Sequence, residues 1–436
     1  MKQYKDSGID WIGRIPEGWK TNKFKHLFRI KKIIAGKLGY DVLSVTQQGL
    51  KVKNITSNEG QVANDYTNYQ LVFPNDFVMN HMDLLTGYVD VSKQEGVTSP
   101  DYRTFYAIHP KDIINQYYLY IFQFCYKARL FYNLGQGVSN FGRWRLPAEQ
   151  QKEFMLPFPP TKEQVKIAEY LDEKCGEIDS LIELQEQMIE KLKAYKQSVI
   201  TEAVTKGLDP NAKLVPSGID WIGEIPEGWK IMRIKNISSD YKAGPFGSAL
   251  ITGNLLHEGS ILVYTPEHVA DTSKLLQNQN NLYLQEERRE EMSQFFVRVG
   301  DVVFPIVGSL GRAIIIDEHM PEGIINQRLS KFSINREKIN EGYFMWLFGK
   351  SEFYAKYIEM NCRGSFIVNL TKVIVGDMPL PLPPLSEQQS IASYLNEKCA
   401  DIDHLIELKQ QKIEKLKDYK KSVIYEAVTG KINIES

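Results

Sequence analysis

Apolar residues recur at alternating steps of four and three along two stretches of this chain. In the first stretch they are Leu171, Cys175, Ile178, Ile182, Ile189, Leu192, Val199 and Ala203. In the second they are Leu395, Cys399, Ile402, Ile406, Ile413, Leu416, Val423 and Ala427. That period is the seam of a coiled coil, and it predicts two long helices. Gln185 and Lys196 interrupt the first seam, and Lys409 and Lys420 interrupt the second at matching places. Tyr195 and Tyr419 sit beside the second interruption and are expected to cover it. Each stretch opens on a proline run. Thr161-Lys-Glu-Gln164 and Ser386-Glu-Gln-Gln389 then fit the capping-box pattern. Gly207 and Gly430 stand where a left-handed helix stop is expected. Each helix would hold about 44 residues and span roughly 66 Å.

The two stretches are copies. Residues 156–207 return from Leu380 onward, with Cys175 matching Cys399 and Tyr195 matching Tyr419, an offset of 224. A second repeat, SGIDWIG-x-IPEGWK, begins at Ser7 and again at Ser217, an offset of 210. The order is short box, variable region, long helix, then the same again, and such self-similarity decides the architecture. Neither helix can bury its stripe alone. The two are therefore expected to pair with each other, and antiparallel pairing relates the two halves by a pseudo-two-fold axis.

The variable regions carry mixed signals. Val42–Val45, Leu71–Phe73 and Phe77–Met79 read as strands, and Ile113–Phe131 as an aromatic-faced helix. A loop with three glycines runs from Leu134 to Leu146. In the second region Lys242–Ser248 reads as a glycine/proline turn, Asp301–Phe304 and Ala313–Ile316 as strands, and Tyr343–Phe353 as a helix. Asn361–Asn369 takes the place of the first region's glycine-rich loop. Each short box, with its two tryptophans around Ile-Pro, reads as a docked strand or turn. The fold class expected is α+β: two pseudo-symmetric mixed α/β domains separated by two long helices that form an intramolecular antiparallel coiled coil. The expected boundaries are 1–155, 156–206 for the first helix, 207–216 for a linker, 217–379, and 380–436 for the second helix and tail.

Composition narrows the function. With 436 residues, 43% hydrophobic and 25% charged, the chain reads as an ordinary globular protein of two or three domains. No apolar run approaches a membrane span, and MKQYKDSGID has no signal-peptide core. Four cysteines without a Cys-x-x-Cys pair point to a reducing cytoplasm, with no disulfide framework or structural zinc. The net charge of −1 hides an asymmetry. Residues 1–155 carry 20 Lys+Arg against 14 Asp+Glu, whereas residues 207–380 carry 18 against 21. Electrostatics thus favour DNA binding for the first region only. Catalytic signals fail one by one. Gly349-Lys-Ser351 has Phe344 where a P-loop needs its first glycine. Phe158-Pro-Pro160 and Leu382-Pro-Pro384 lack the Asn or Asp of an amino-methyltransferase motif. The seven histidines show no metal spacing.

Three features, each present twice, carry a resemblance: the SGIDWIG-x-IPEGW box, the LP-x-PP…EQ-x-x-I-A-x-Y-L segment, and the seam ending in Ser-Val-Ile-x-Glu-Ala-Val-Thr. In these the chain resembles the specificity subunit of type I restriction–modification systems over nearly its whole length. The resemblance implies two target-recognition domains, each reading one half of a split double-stranded DNA target. It implies that the paired helices act as a ruler for the unspecified spacer. It also implies two modification subunits carrying S-adenosylmethionine, and restriction subunits that use ATP and magnesium. This chain would then bind no cofactor or metal and catalyse nothing itself. The competing reading is a coiled-coil scaffold without DNA contact; a stand-alone enzyme would need a site that is not visible.

Base edges are read by Arg on guanine and by Asn or Gln on adenine. The candidates in the first region are Gln47, Gln48, Gln136, Ser139, Asn140, Arg143 and Arg145. In the second they are Lys242, Ser248, Ser309, Arg312, Gln327, Arg328, Arg363 and Ser365.

Overall fold

The computed structural model describes residues 3–53, 65–137, 144–245, 250, 255–277, 280–307, 311–350, 352–361 and 370–434. The two predicted helices are Thr161–Lys206 and Leu385–Val428. The chain divides into two units, one of residues 1–186 with 410–436 and one of residues 187–409. The first helix therefore gives its opening half to one unit and its closing half to the other, and the second helix does the reverse.

Each unit contains its own stretch of antiparallel helix pair. In the first unit Lys420 Nζ bonds the Asp179 carboxylate at 2.6 Å. In the second unit Lys196 Nζ bonds Asp403 at 2.6 Å. The repeat offset maps one pair onto the other. Lys196 and Lys420, two of the lysines that break the seam, are thus met by aspartates of the opposing helix. Tyr195 and Tyr419 do not cover them: both side chains are exposed. The seam residues Leu171, Cys175, Ile178, Ile189, Val199 and Ala203 are buried, as are their repeats from Leu395 to Ala427, whereas Ile182 and Leu192 and their repeats Ile406 and Leu416 are half-buried.

The helix starts depart from the capping-box expectation. Thr161 is already helical, as is Ser386, so neither serves as the cap. The glutamine three residues after Thr161 does a different job. Gln164 accepts from the Ile114 amide at 2.9 Å and donates to the carbonyls of Asp112 and Pro159. Gln388 repeats this with the Asn340 amide and the carbonyls of Lys338 and Pro383. In both units it rivets the helix start to the loop before the domain's aromatic helix. The short box docks on the same turn. Trp19 Nε1 donates to Glu163 at 3.0 Å, and Trp229 Nε1 donates to Glu387 at 3.1 Å.

Helix ends close the units. Gly430 sits at φ +74°, and a Cβ there would lie 2.6 Å from Pro16 and 2.9 Å from Trp19. Gly207, at φ +76°, packs on Trp229 in the same way. Tyr117 donates to the Val428 carbonyl, and Tyr343 to that of Val204. Each domain core thus includes the last turns of the helix that arrives from the other half of the sequence: Val423, Ile424, Ala427 and Val428 in one unit, Val199, Ile200, Ala203 and Val204 in the other.

The variable regions share a sheet that their sequences hide. In the first unit four antiparallel strands run in the order Phe28–Lys31, Arg103–Ala107, Phe77–Met79, Val89–Val91. In the second the order is Ser238–Ala243, Leu329–Ile334, Asp301–Pro305, Ile314–Ile315. An aspartate opens the same strand in both. Asp76 and Asp301 each accept from the amide three residues back, and each pairs with a lysine, half-buried Lys31 or buried Lys331. The expected helices form at Asn115–Lys127 and Glu341–Phe348, followed in the second unit by Glu352–Asn361. Lys242 lies on a strand rather than in the expected turn, and that strand ends at Ala243. The second unit adds a sheet in which Ile261–Tyr264 runs parallel to Gly323–Ile325. Cys125, Cys175 and Cys399 are buried free thiols.

Two outcomes follow for folding. Gln164→Leu or Gln388→Leu leaves a backbone amide and two carbonyls unpaired, and each is expected to cost about 1–3 kcal/mol in chemical denaturation. Lys420→Asp sets two carboxylates face to face and is expected to cost on the order of 1 kcal/mol; adding Asp179→Lys should recover most of it, read as thermal midpoints of the double-mutant cycle.

Candidate functional site

In the first unit three segments converge beyond the end of strand Phe77–Met79. The hairpin Leu43–Thr46 and Gly49–Val52 turns at Gln47 and Gln48. Gly49 is held at φ +103° against Asp90, whose carboxylate accepts from the Leu50 amide at 2.7 Å. Gln47 Nε2 reaches the Thr86 carbonyl at 3.4 Å. Thr86 belongs to a tight turn in which Asp83 accepts from the amides of Leu85 and Thr86. Gly87 is required there, since a Cβ would lie 2.0 Å from the Asp83 carbonyl. The same turn takes the third segment: the Leu84 amide donates to the Trp144 carbonyl, and the Leu146 amide to that of His81.

Gln136 and Arg145 face each other at the base of the glycine-rich loop and exchange both backbone hydrogen bonds, at 2.8 and 3.0 Å. Trp144 stacks on Tyr132 and donates to its carbonyl, which locks the base from one side. Gln136 and Arg145 are therefore brought together, and Gln47 is tied to the turn that receives Trp144. Gln48 is engaged by Lys51, so of the two glutamines Gln47 alone bridges to the neighbouring turn. Ser139, Asn140 and Arg143 lie outside the described residues.

In the second unit the candidates gather around the short helix Pro266–Ala270. That helix is pinned by a buried histidine. The Thr265 amide donates to His268 Nδ1 at 3.1 Å, so Nε2 carries the proton and bonds Asn281 Oδ1 at 3.0 Å. Burial holds the His268 pKa below the usual imidazole value. Arg312 donates to the Ala270 carbonyl at the end of the helix. Gln327 and Arg328 line a cavity of about 380 Å³ with Glu267, His268, Asn280 and Asn326. The cavity lies at the carboxyl ends of the parallel strands Ile261–Tyr264 and Gly323–Ile325, where open sheets leave a crevice for ligands. Lys242 leads into Gly244, whose backbone lies against Asn326 so closely that a Cβ would sit 1.8 Å from its carbonyl oxygen. Ser248, Ser309, Arg363 and Ser365 lie outside the described residues.

The sequence reading missed other polar groups at these ends. Glu267 and Asn280 flank the second-unit cavity, and neither stands in a glycine-rich or repeated segment that would have marked it. His81 and Arg103 lie at the corner that receives Leu146 in the first unit. Among the described residues no cluster of three or more His, Cys, Asp or Glu could hold a metal ion. No described helix is long and apolar enough to cross a membrane.

Comparison with known proteins matches this architecture. The family described as "Type I restriction modification DNA specificity domain" matches residues 16–194 and 226–418. The two matched ranges begin 210 residues apart and end 224 apart, which reproduces both internal repeat offsets. The putative type I restriction enzyme MjaX specificity subunit of Methanocaldococcus jannaschii is 24% identical over 98% of this chain and 96% of its own length. The type I restriction enzyme MjaVIII specificity subunit of the same organism is 26% identical, over 64% of this chain and 63% of its own length. A chain solved in a study of complex assembly and conformational transition of the type I R-M system superposes with a TM-score of 0.73, at 13% identity, over 96% of this chain and 99% of that one. This chain belongs to the family of type I restriction–modification DNA specificity domains, and it carries two of them.

Proposed function

We propose that this chain is the DNA sequence-recognition subunit of a type I restriction–modification system, and that each unit reads one half of a split duplex target. One observation carries the reading: two units with the same sheet order, the same helix rivet and the same closing glycine present different polar groups at the same end. A shared frame with different contact residues is what two different half-sites require. Side-chain amides and guanidinium groups are the chemistry that distinguishes base pairs in the major groove. Gln47, Gln136 and Arg145 serve the first half-site in this reading, with Gln48 behind them. Lys242, Arg312, Gln327 and Arg328 serve the second.

Catalysis belongs to partners. A target adenine has to leave the stack before it can be methylated. That work, with S-adenosylmethionine, falls to two modification subunits, one for each half-site. Restriction subunits with ATP and magnesium cut the DNA. The type I family and the MjaX and MjaVIII relatives support this division of labour. The duplicated framework supports two equivalent modification subunits for each chain.

The helices set the unspecified spacer. One heptad inserted after Gln187 and another after Gln411, the repeat-equivalent position, keeps the seam in phase and adds about 10 Å of helix. The expected result is a target whose spacer grows by about three base pairs at 3.4 Å each, with both half-sites unchanged. Methylation mapping of the variant complex reads this directly, and an unaltered spacer would contradict the ruler.

A further inference from the structure

The two units share a corner that receives the segment at Leu146 or Leu370, and they fill it differently. In the first unit the Leu146 amide donates to the His81 carbonyl. In the second the Leu370 amide donates to the Ile306 carbonyl. Strand register then equates Arg103, opposite Met79, with Ser330, opposite Phe304. The repeat offset equates Gln151 with Val375. The second unit therefore closes this corner with Ile306, Ser330 and Val375, all buried. The first unit puts His81, Arg103 and Gln151 in the same places.

The fold does not need those charges, since the second unit builds the corner without them. Their cost in the first unit is visible. Arg103 is buried, and its guanidinium bonds only neutral acceptors, Gln151 Oε1 at 2.6 Å and the Leu146 carbonyl at 3.1 Å. No described carboxylate bonds it. Burial and the nearby Arg145 lower its pKa to about 10. His81 Nδ1 is buried with no hydrogen-bond partner. Burial, together with Arg103 and Arg145, pushes the His81 pKa down to about 3, so the ring is neutral at physiological pH. Arg145 stands exposed beside them, with no ion pair among the described residues. A buried cation without a counter-ion is strongly unfavourable unless an anion completes the site.

We propose that His81, Arg103 and Arg145 form a binding corner for one backbone phosphodiester of the DNA, which fixes the register of the first half-site. The inference rests on the DNA-reading function proposed above. Arg145 supplies the exposed contact. Arg103 acts as a positioning residue behind it, adding positive potential and holding the Leu146 carbonyl through Nη2. Phosphate contacts of this kind set orientation and register but carry no base information themselves. The proposal thus moves Arg145 from base reading to backbone anchoring and leaves Gln47 and Gln136 as readers.

The test uses the full chain in complex with its modification subunits and duplexes bearing the mapped target. Binding is measured across a salt series for wild type, Arg145→Gln, and the triple variant His81→Ile, Arg103→Ser, Gln151→Val. The triple variant installs the set that the second unit already folds around, and its thermal midpoint reports whether the corner still forms. Arg145→Gln is expected to weaken cognate and mismatched duplexes by the same factor and to lower the salt slope by about one. A scan of single neutral methylphosphonates should show one sensitive position in the first half-site for wild type and none there for Arg145→Gln. The folded triple variant should lose the same position. A change in base preference at one position with the slope intact would overturn the proposal and make Arg145 a base reader. So would competition by inorganic phosphate at constant ionic strength with no sensitive position in the scan. Wild-type complex that binds no duplex would overturn the functional reading and this inference with it. Intact wild-type binding with an unaltered Arg145→Gln slope would overturn this inference alone.

Discussion

A helix of more than forty residues with an apolar stripe on one side cannot stand alone in water, and this chain has two. The stripe has to be covered, and each unit covers it by taking part of both helices in antiparallel array. The rest of the construction depends on that pairing. Because each helix arrives in the opposite unit, its last turn becomes core for a domain that it did not follow in sequence. Val428 meets Tyr117, and Val204 meets Tyr343. The first unit consequently contains both the start and the end of the sequence, with Tyr4 bonding the carbonyl of Gly430. The second unit is continuous, yet it is assembled from equivalent parts.

The pairing is specified by more than hydrophobicity. A uniform apolar seam would tolerate sliding by a heptad or reversal. Lys196 and Lys420 interrupt the seam and find Asp403 and Asp179 on the facing helix, so a shifted register would leave a lysine beside apolar side chains. The aspartates are largely exposed, and the pairs add little net stability. Their role is to make other arrangements worse. Buried Gln185, whose side-chain carbonyl has no partner, is a second polar marker in the first unit's seam.

Much of this was legible in the sequence, because periodicity and repetition are strong signals. The two helices, their pairing direction, the docked boxes and the left-handed stops at Gly207 and Gly430 all follow from pattern. The failures have local causes. The capping-box template fitted Thr161 and Gln164, but the same spacing lets a glutamine reach outward to another loop, and only the tertiary neighbour Ile114 decides between them. Tyr195 and Tyr419 were expected over lysines that turn instead toward aspartates of the other helix. Lys242 falls inside a glycine/proline turn pattern because Gly244 and Pro245 follow it after Ala243 alone. The common four-stranded sheet is hidden because short strands of two to six residues accept many apolar sequences. At the candidate interface, glutamines and arginines near glycines could be found from the sequence. Arg103 could not, since its burial depends on Gln151, which is distant in sequence, and no local pattern marks a strand arginine as buried.

The central claim is that two differently decorated units on one helix pair read two halves of one DNA target. Sequencing the methylated bases in cells that express this chain with its modification subunit tests it most directly. The account predicts a single split motif, with methyladenine in each half and an unspecified spacer of constant length. A contiguous motif, or no new methylation although the complex assembles, would contradict it.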